Sequence, residues 1–259
     1  MASLLGPRNL GDIIGETFGI YTRNFLKIIA IVAIVEVTLG VLGYVLENVF
    51  AQQPPSITGD WLESLVPFIL EAIMMVGIIM VVSIIAYPLM EGAVIQAVSE
   101  QSLGQRISIG RAYRFAWRRF WTMLGAQLLA GLAILGMSIT IIGIPFAIYF
   151  GIRWIFIWQA VMVEGAGVIG ALSRSSEAVK GDWWRVLGIG IVITIIIMVI
   201  SFVVGLIPVV GATIGAILYT PIIIIAATLL YYDLRVRKQG YSLETLATEL
   251  NIKLDSSVA

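Results

Sequence analysis

The fold is decided by two long apolar runs near the end of the chain, WWRVLGIGIVITIIIMVISFVVGL at residues 183–206 and ATIGAILYTPIIIIAATLLYY at residues 212–232. An α-helix rises 1.5 Å per residue, so about 20 apolar residues cross the roughly 30 Å hydrocarbon core of a bilayer. Both runs are long enough, and only a short segment containing Pro and Gly separates them. The pair therefore predicts a transmembrane helical hairpin.

Four earlier runs of similar length predict four more crossings, at residues 25–49, 65–98, 120–142 and 145–163. The second is longer than a crossing needs, so we expect it to tilt, to kink near Pro88 or to project into the cytoplasm. The chain is 59% hydrophobic and 12% charged, with a mean hydropathy of +1.00. An ordinary soluble domain is about half apolar and a quarter charged. We therefore predict one all-α domain over residues 1–259, a membrane helical bundle with six transmembrane helices.

The basic residues predict how this bundle is oriented. Fifteen of the sixteen Lys and Arg residues lie at the N-terminus, in the second-to-third or fourth-to-fifth connection, or after the last crossing. Basic residues are retained on the cytoplasmic side. Both termini, including the tail 233–259, are thus predicted to be cytoplasmic, in a cytoplasmic membrane. Residues 1–24 lack the pattern of a cleavable signal peptide, so we expect the first crossing to be retained.

Each odd-numbered crossing follows a short amphipathic stretch, at residues 9–24, 107–119 and 167–180. Apolar positions at helical spacing with charges opposite are typical of helices at the membrane surface. These stretches predict three repeats of one unit, an interfacial helix followed by a transmembrane hairpin. The alternative is that any hairpin entered from a basic loop has this pattern.

The tail contains one further helical pattern. Ser242 can cap a helix that begins at Leu243 and has one apolar face. This helix could lie on the membrane surface, pack under the bundle or bind a partner helix, and we favour the surface.

Charges at membrane depth mark either buried pairs or transport paths. By helix rise, Glu36 lies about 16 Å and Arg153 about 18 Å from the cytoplasmic edge. We therefore predict a Glu36–Arg153 ion pair, which either fixes the register of two helices or lines a substrate site. Glu91 and Glu164 fall near the inner surface, where we expect them to neutralise arginines of the interfacial helices.

A basic cluster in the second cytoplasmic connection suggests contacts with lipid headgroups, because such clusters attract anionic lipids. Its candidate residues are Arg111, Arg114, Arg118 and Arg119, interleaved with aromatic residues. Ordinary topology anchoring would give the same pattern.

Several chemistries are disfavoured by what the sequence lacks. It contains no histidine or cysteine, and no Gly-rich phosphate loop, nucleophile elbow or zinc motif. We expect no catalytic residues, no metal and no cofactor. The sixteen basic and sixteen acidic residues cancel, so net charge predicts no nucleic-acid binding, and membrane lipids are the expected partners.

The chain resembles the glycerophosphoryl diester phosphodiesterase membrane-domain family, a group of uncharacterised prokaryotic multi-pass membrane proteins. The resemblance rests on Leu10–Phe18, Tyr21–Phe25, Arg153-Trp154, Val163–Gly165, Ala171–Ser175, Lys180–Arg185 and Leu230–Arg237. Arg153 and Glu164 match positions typical of the family. Because the associated enzyme class uses histidines in a soluble barrel, the resemblance implies a stand-alone, non-enzymatic membrane module.

Three functional hypotheses follow. The first is a non-enzymatic scaffold, regulator or lipid-interacting module in the cytoplasmic membrane of a prokaryote. The second is a carrier for a small solute or lipid, with a midplane site at Glu36 and Arg153. The third and least favoured is an intramembrane enzyme that relies on carboxylates.

Overall fold

The computed structural model describes residues 6–50, 61–207 and 211–250, and in these ranges it contains helices and turns but no strand. The helices are α1 Leu10–Arg23, α2 Phe25–Val49, α3 Trp61–Ser102, α4 Ile109–Ser138, α5 Ile144–Arg153, α6 Ile157–Glu164, α7 Val168–Val179, α8 Trp183–Gly205, α9 Gly211–Gln239 and α10 Leu243–Glu249. The predicted outer turn at 208–210, most of the first outer loop and the tail after Leu250 lie outside the described residues.

Six segments of the described chain are long and apolar enough to cross a membrane. They are Phe25–Val49, Leu65–Ser102, Ile109–Ser138, Ile141–Glu164, Trp183–Gly205 and Gly211–Gln239. Each contains one of the six predicted crossings, to within a few residues at its ends. The predicted all-α bundle is thereby confirmed, and the length and composition of these segments indicate a membrane protein.

The two ends of α3 have different surroundings. Its 42 residues correspond to about 63 Å, twice the thickness of a hydrocarbon core. The most apolar stretch of its candidate span has no residue buried inside the protein. Residues 92–100, by contrast, are all buried, and α3 packs against α4, α6 and α9. The helix continues through Pro88 without ending. Its extra length therefore carries one end into the protein core.

The first amphipathic helix lies lengthwise against α9. The backbone N–H of Arg8 donates to Asp233 at 2.6 Å, and the hydroxyl of Tyr21 donates to the Leu218 carbonyl at 3.1 Å. These contacts lie at opposite ends of α1 and are separated by four turns of α9, so the two helices run antiparallel over about 20 Å. α1 therefore packs on a candidate span through buried residues such as Ile13 and Tyr21, and its interfacial position stays a prediction.

The three amphipathic stretches do not form three similar structural units. α4 runs from Ile109 to Ser138 without a break, so the predicted interfacial helix 107–119 and third crossing form one helix. By contrast, α1 ends at Asn24, and α7 ends before Gly181, whose φ of 87° suits glycine. The junction at Arg118–Phe120 contains no residue that ends a helix. The threefold repeat stays a prediction.

A serine side chain breaks the fourth crossing into α5 and α6. The Ser175 hydroxyl, which is fully buried, donates to the Arg153 carbonyl at 2.7 Å and accepts from the Phe156 N–H at 3.1 Å. A side chain that takes backbone groups out of the helical ladder produces a kink. Residues 154–156 accordingly form turns, and α6 continues to Gly165, which ends it in a left-handed conformation with φ of 70°.

The C-terminal helix packs under the bundle. Ser242 Oγ accepts from the Thr245 N–H at 3.3 Å, which confirms the predicted cap and start of α10. The residues of its apolar face are buried, where α10 contacts α6: Leu246, Ala247 and Leu250. The preference for the membrane surface is wrong, because protein covers this face.

Candidate functional site

Glu36 lies where three helices meet. Its Oε1 accepts from Thr220 Oγ1 of α9 at 3.3 Å, and its carboxylate also bonds to the Tyr87 hydroxyl of α3. One turn further along α2, Gly40 allows close approach to α9, since a Cβ there would lie 2.6 Å from Thr213 Oγ1. Two hydroxyls from tightly packed helices thus satisfy the carboxylate.

Arg153 has different neighbours. Its guanidinium lies over the Tyr149 ring at 5.5 Å, and it makes 3.4 Å contacts with the Tyr149 hydroxyl and the Ser176 carbonyl. Its Nε is buried without a partner, and among the described residues no carboxylate lies within 4.0 Å of it. The predicted Glu36–Arg153 pair is not formed, because the break after Arg153 directs this residue to α7. The two residues predicted to form the midplane site of a carrier therefore do not contact each other.

Glu164 belongs to an ionic cluster at the basic end of the bundle. It accepts a short hydrogen bond from the Tyr231 hydroxyl and lies 3.5 Å from Arg174 of α7 and 3.6 Å from Arg235 of α9. Arg235, whose side chain is only 7% exposed, also forms a bidentate pair with Glu249 of α10 at 2.9 Å for both bonds. These charges join four helices, and their carboxylates are occupied by the protein's own donors.

The cluster extends to Tyr241, which follows α9. The Arg235 guanidinium lies 3.7 Å from the centroid of the Tyr241 ring, and the Tyr241 hydroxyl donates to Glu249. Burial, together with this hydrogen bond, raises the pKa of Tyr241 above its ordinary value. The phenol therefore stays protonated and keeps donating to Glu249.

Asp233 is the centre of a second cluster. Its fully buried carboxylate accepts from the Arg8 N–H at 2.6 Å, from Arg185 of α8 at 2.8 Å and from Arg237 at 3.0 Å. Both guanidiniums also donate to the Arg8 carbonyl. Two cations and a backbone donor compensate for burying this carboxylate. Asp233 thereby ties the start of α1 and the start of α8 to α9.

The two clusters share one short segment of α9, Tyr231–Lys238, which we call the α9 clamp. In addition to the contacts above, Tyr232 bonds Ser99 of α3 at 2.6 Å, and Lys238 caps C-terminal carbonyls of α7 and pairs with Asp182 at 3.3 Å. Clamp side chains thus reach six other parts of the chain. The sequence assigned no role to this segment, although one acidic residue followed by three basic residues at the end of a span was a visible signal.

Two of the predicted headgroup arginines are bound by other parts of the protein. Arg111 forms a bidentate pair with the buried Glu100, at 2.7 and 3.0 Å, although its own side chain is 53% exposed. Arg119 lies over the Phe115 ring at 4.9 Å and donates to the Val161 carbonyl near the end of α6. These contacts fix α4 against α3 and α6.

The other two arginines point outward. Arg114 and Arg118 are exposed and have no partner among the described residues. Trp117 and Trp121, 62% and 74% exposed, lie on the same side of the helix, since positions 114, 117, 118 and 121 follow i, i+3, i+4, i+7 spacing. We call these four residues the α4 face. It offers cations and amphipathic aromatic rings side by side, the combination typical of a membrane–water interface.

Glu91 does not neutralise an arginine. Its Oε2 is buried without a hydrogen-bond partner, and the described residues place no basic group within 4.0 Å of it. The neighbouring residue Gly92 packs against Ala116, Met123 and Met162. Glu91 therefore lies next to a close contact between α3, α4 and α6, and the expected arginine partner is missing among the described residues.

An apolar groove of about 150 Å³ runs between α8, α9 and the break in the fourth crossing. Its walls include Ile155, Val186, Gly190, Ile223 and Ala227. A groove of this size is comparable to a cavity that holds one benzene molecule. It is too small for a typical small-molecule site.

Residues 146–234 match the family described as "Domain of unknown function (DUF7847)". The match covers about a third of the chain, from α5 into the α9 clamp, and includes Arg153, Ser175 and Asp233. No curated protein and no solved structure matches the chain. The resemblance to the phosphodiesterase membrane-domain family stays a prediction.

Proposed function

We propose that this chain is a non-enzymatic scaffold of a prokaryotic cytoplasmic membrane, with both termini in the cytoplasm, that binds acidic phospholipids of the inner leaflet through the α4 face. The observation that carries the proposal is the division of the α4 arginines. Arg111 and Arg119 are held by the protein, whereas Arg114 and Arg118 are exposed beside two exposed tryptophans.

The α9 clamp supports the scaffold part of the proposal. Its charged groups are paired with one another or with backbone groups, and they join helices that are distant in sequence. Such an arrangement stabilises one conformation and leaves few unpaired charged groups that could bind a substrate. A scaffold that binds other molecules at the cytoplasmic end of the bundle requires that this end be rigid. The stand-alone module implied by the family resemblance is compatible with this reading.

A carrier built on Glu36 and Arg153 is not proposed, because these side chains bind different helices. A flux assay that responded to both Glu36→Gln and Arg153→Gln would revive it.

The test is lipid selectivity in reconstituted vesicles. Electron spin resonance of spin-labelled lipids compares phosphatidylglycerol with phosphatidylcholine at the protein surface. A basic residue near an anionic surface contributes about 1 kcal/mol, so the double variant Arg114→Gln/Arg118→Gln should lower the phosphatidylglycerol preference by up to about thirtyfold at low salt. The matched control is Arg106→Gln/Lys180→Gln, which removes two exposed charges elsewhere on the basic side.

The control variant should keep most of the preference, and raising the salt concentration should weaken the wild-type preference. Equal losses in the two double variants would mean that only net charge matters, and that result would refute a role for the α4 face. Unchanged selectivity in the Arg114→Gln/Arg118→Gln variant would refute it as well.

A further inference from the structure

We infer that the groove between α8 and α9 is a binding site for one acidic phospholipid, of which a segment of one acyl chain lies in the groove and the phosphate is bound by Arg153. This site is separate from the α4 face and does not depend on it. Three observations carry the inference: the chemistry of the groove walls, the charge at one end of the groove, and the position of its mouth.

The groove walls are suited to an acyl chain. The lining residues are aliphatic or aromatic except for Gly190 and Thr194, and the Thr194 hydroxyl is already used, since it donates to the Gly190 carbonyl at 2.8 Å. The groove therefore offers no free polar group to water or to a polar solute. Ile155 and Ile223, at its mouth, are 49% and 38% exposed, so it opens on the apolar outer surface of two candidate spans. A lipid chain can enter sideways without crossing a polar region.

The chain places a cation two residues before one end of the groove. Arg153 precedes the lining residue Ile155 by two positions, and its guanidinium lies over Tyr149, whose ring stacks on Trp183 at 6.1 Å. Trp183 is one helical turn before Val186, another lining residue. Arg153 has two long contacts, 3.4 Å each, and no carboxylate within 4.0 Å among the described residues. An uncompensated guanidinium is complementary to a lipid phosphate, which it can bind in a bidentate manner.

The neighbouring aromatic residues indicate the depth of the site. Trp183 begins α8 on the basic side of the bundle, and its Nε1–H donates to the Tyr149 carbonyl at 3.3 Å. Trp and Tyr rings favour the headgroup region of a bilayer. The order of the parts, a cation and aromatic rings followed by an apolar groove, is the order of a phospholipid from phosphate to chain.

The experiment uses phosphatidylglycerol with a photoactivatable diazirine on its acyl chain, reconstituted with the full-length protein. Crosslinked peptides mapped by mass spectrometry should be concentrated at residues 186–197 and 223–230. Gly190 offers a direct way to fill the groove, since a Cβ there would meet nothing within 4 Å. Gly190→Leu should lower groove crosslinking at least threefold, and Ala227→Leu, from the opposite wall, should do the same.

The matched control is Gly188→Leu. Gly188 lies on the same helix and also has open space around its Cβ, but it does not line the groove. This variant should keep wild-type crosslinking. Arg153→Gln should lower the preference for the phosphatidylglycerol probe over a phosphatidylcholine probe by about tenfold, the effect of one charge-assisted hydrogen bond. Arg114→Gln/Arg118→Gln should leave groove crosslinking intact, so failure at the α4 face and failure at the groove are distinguishable.

Three results would overturn the inference. Crosslinks spread evenly over exposed residues such as Ile191 and Ile195 in every variant would show ordinary lipid contact. Equal labelling by both probes, unchanged by Arg153→Gln, would show that Arg153 does not bind the lipid phosphate. A dimer that forms with rising protein concentration and is lost in Gly190→Leu would assign the groove to a second copy of the chain.

Discussion

The hydroxyl of Ser175 is predicted to hold the fourth crossing in its broken form. It satisfies the Arg153 carbonyl at 2.7 Å and the Phe156 N–H at 3.1 Å, and all three groups lie in a buried or half-buried region. Ser175→Ala removes both partners at once and changes the side-chain volume very little. The substitution therefore measures hydrogen bonding with little contribution from packing.

The magnitude follows from the two groups that lose a partner. A buried backbone donor or acceptor left unsatisfied costs about 1–3 kcal/mol, so two such groups cost about 2–6 kcal/mol if the break persists. If α5 and α6 instead join into one helix, the two backbone groups recover partners, but the contact between Arg153 and Ser176 is lost. Ser175→Ala should therefore lower the free energy of unfolding in both cases, and by less in the second.

The measurement is reversible unfolding in detergent, with Ser173→Ala as the control, because Ser173 is exposed on the same helix and makes one long contact at 3.4 Å with Glu177. Amide hydrogen exchange at residues 154–157 reports the break itself. A Ser175→Ala protein as stable as the Ser173→Ala protein, with unchanged exchange at these amides, would refute the claim that the hydroxyl breaks the helix.

Two further predictions concern the α9 clamp. Asp233→Ala should destabilise the protein by at least about 2 kcal/mol in equilibrium unfolding, because two partly exposed guanidiniums and a buried backbone N–H lose their shared acceptor. The exposed Glu47→Ala should change stability by less than about 0.5 kcal/mol, and similar values for the two variants would contradict the clamp. Glu249→Ala should release α10 from Arg235 and speed proteolysis between α9 and α10 at least fivefold, while the rest of the bundle stays folded. A cleavage rate equal to that of the wild type would show that apolar contacts alone hold α10.

The features predicted correctly from the sequence are those set by neighbouring residues. Long apolar runs gave six spans, because span length depends only on local composition and helix rise. The Ser242 cap was predictable because a capping hydroxyl bonds within three residues. The division of the α4 arginines was only partly predictable. Helical spacing separates Arg119 from the face that carries Trp117 and Trp121, but Arg111 lies seven residues before Arg118 and falls on the same side as that residue.

The errors concern contacts between residues distant in sequence. The depth calculation for Arg153 assumed an unbroken helix, but the break depends on Ser175, which belongs to a later helix. Glu36 is satisfied by hydroxyls of α3 and α9, and an uncharged partner leaves no charge pattern by which to find it. The packing of α1 on α9 was also missed, because amphipathicity does not distinguish a membrane surface from the side of another helix.

The position of the α9 clamp has a consequence for biosynthesis. The clamp at residues 231–238 follows most of its partners in the chain, which are spread from Arg8 to Glu249. During translation, the partners made earlier stay unpaired until residues 231–238 have been synthesised. A nascent chain released before residue 231 therefore presents unpaired charges that the folded protein neutralises.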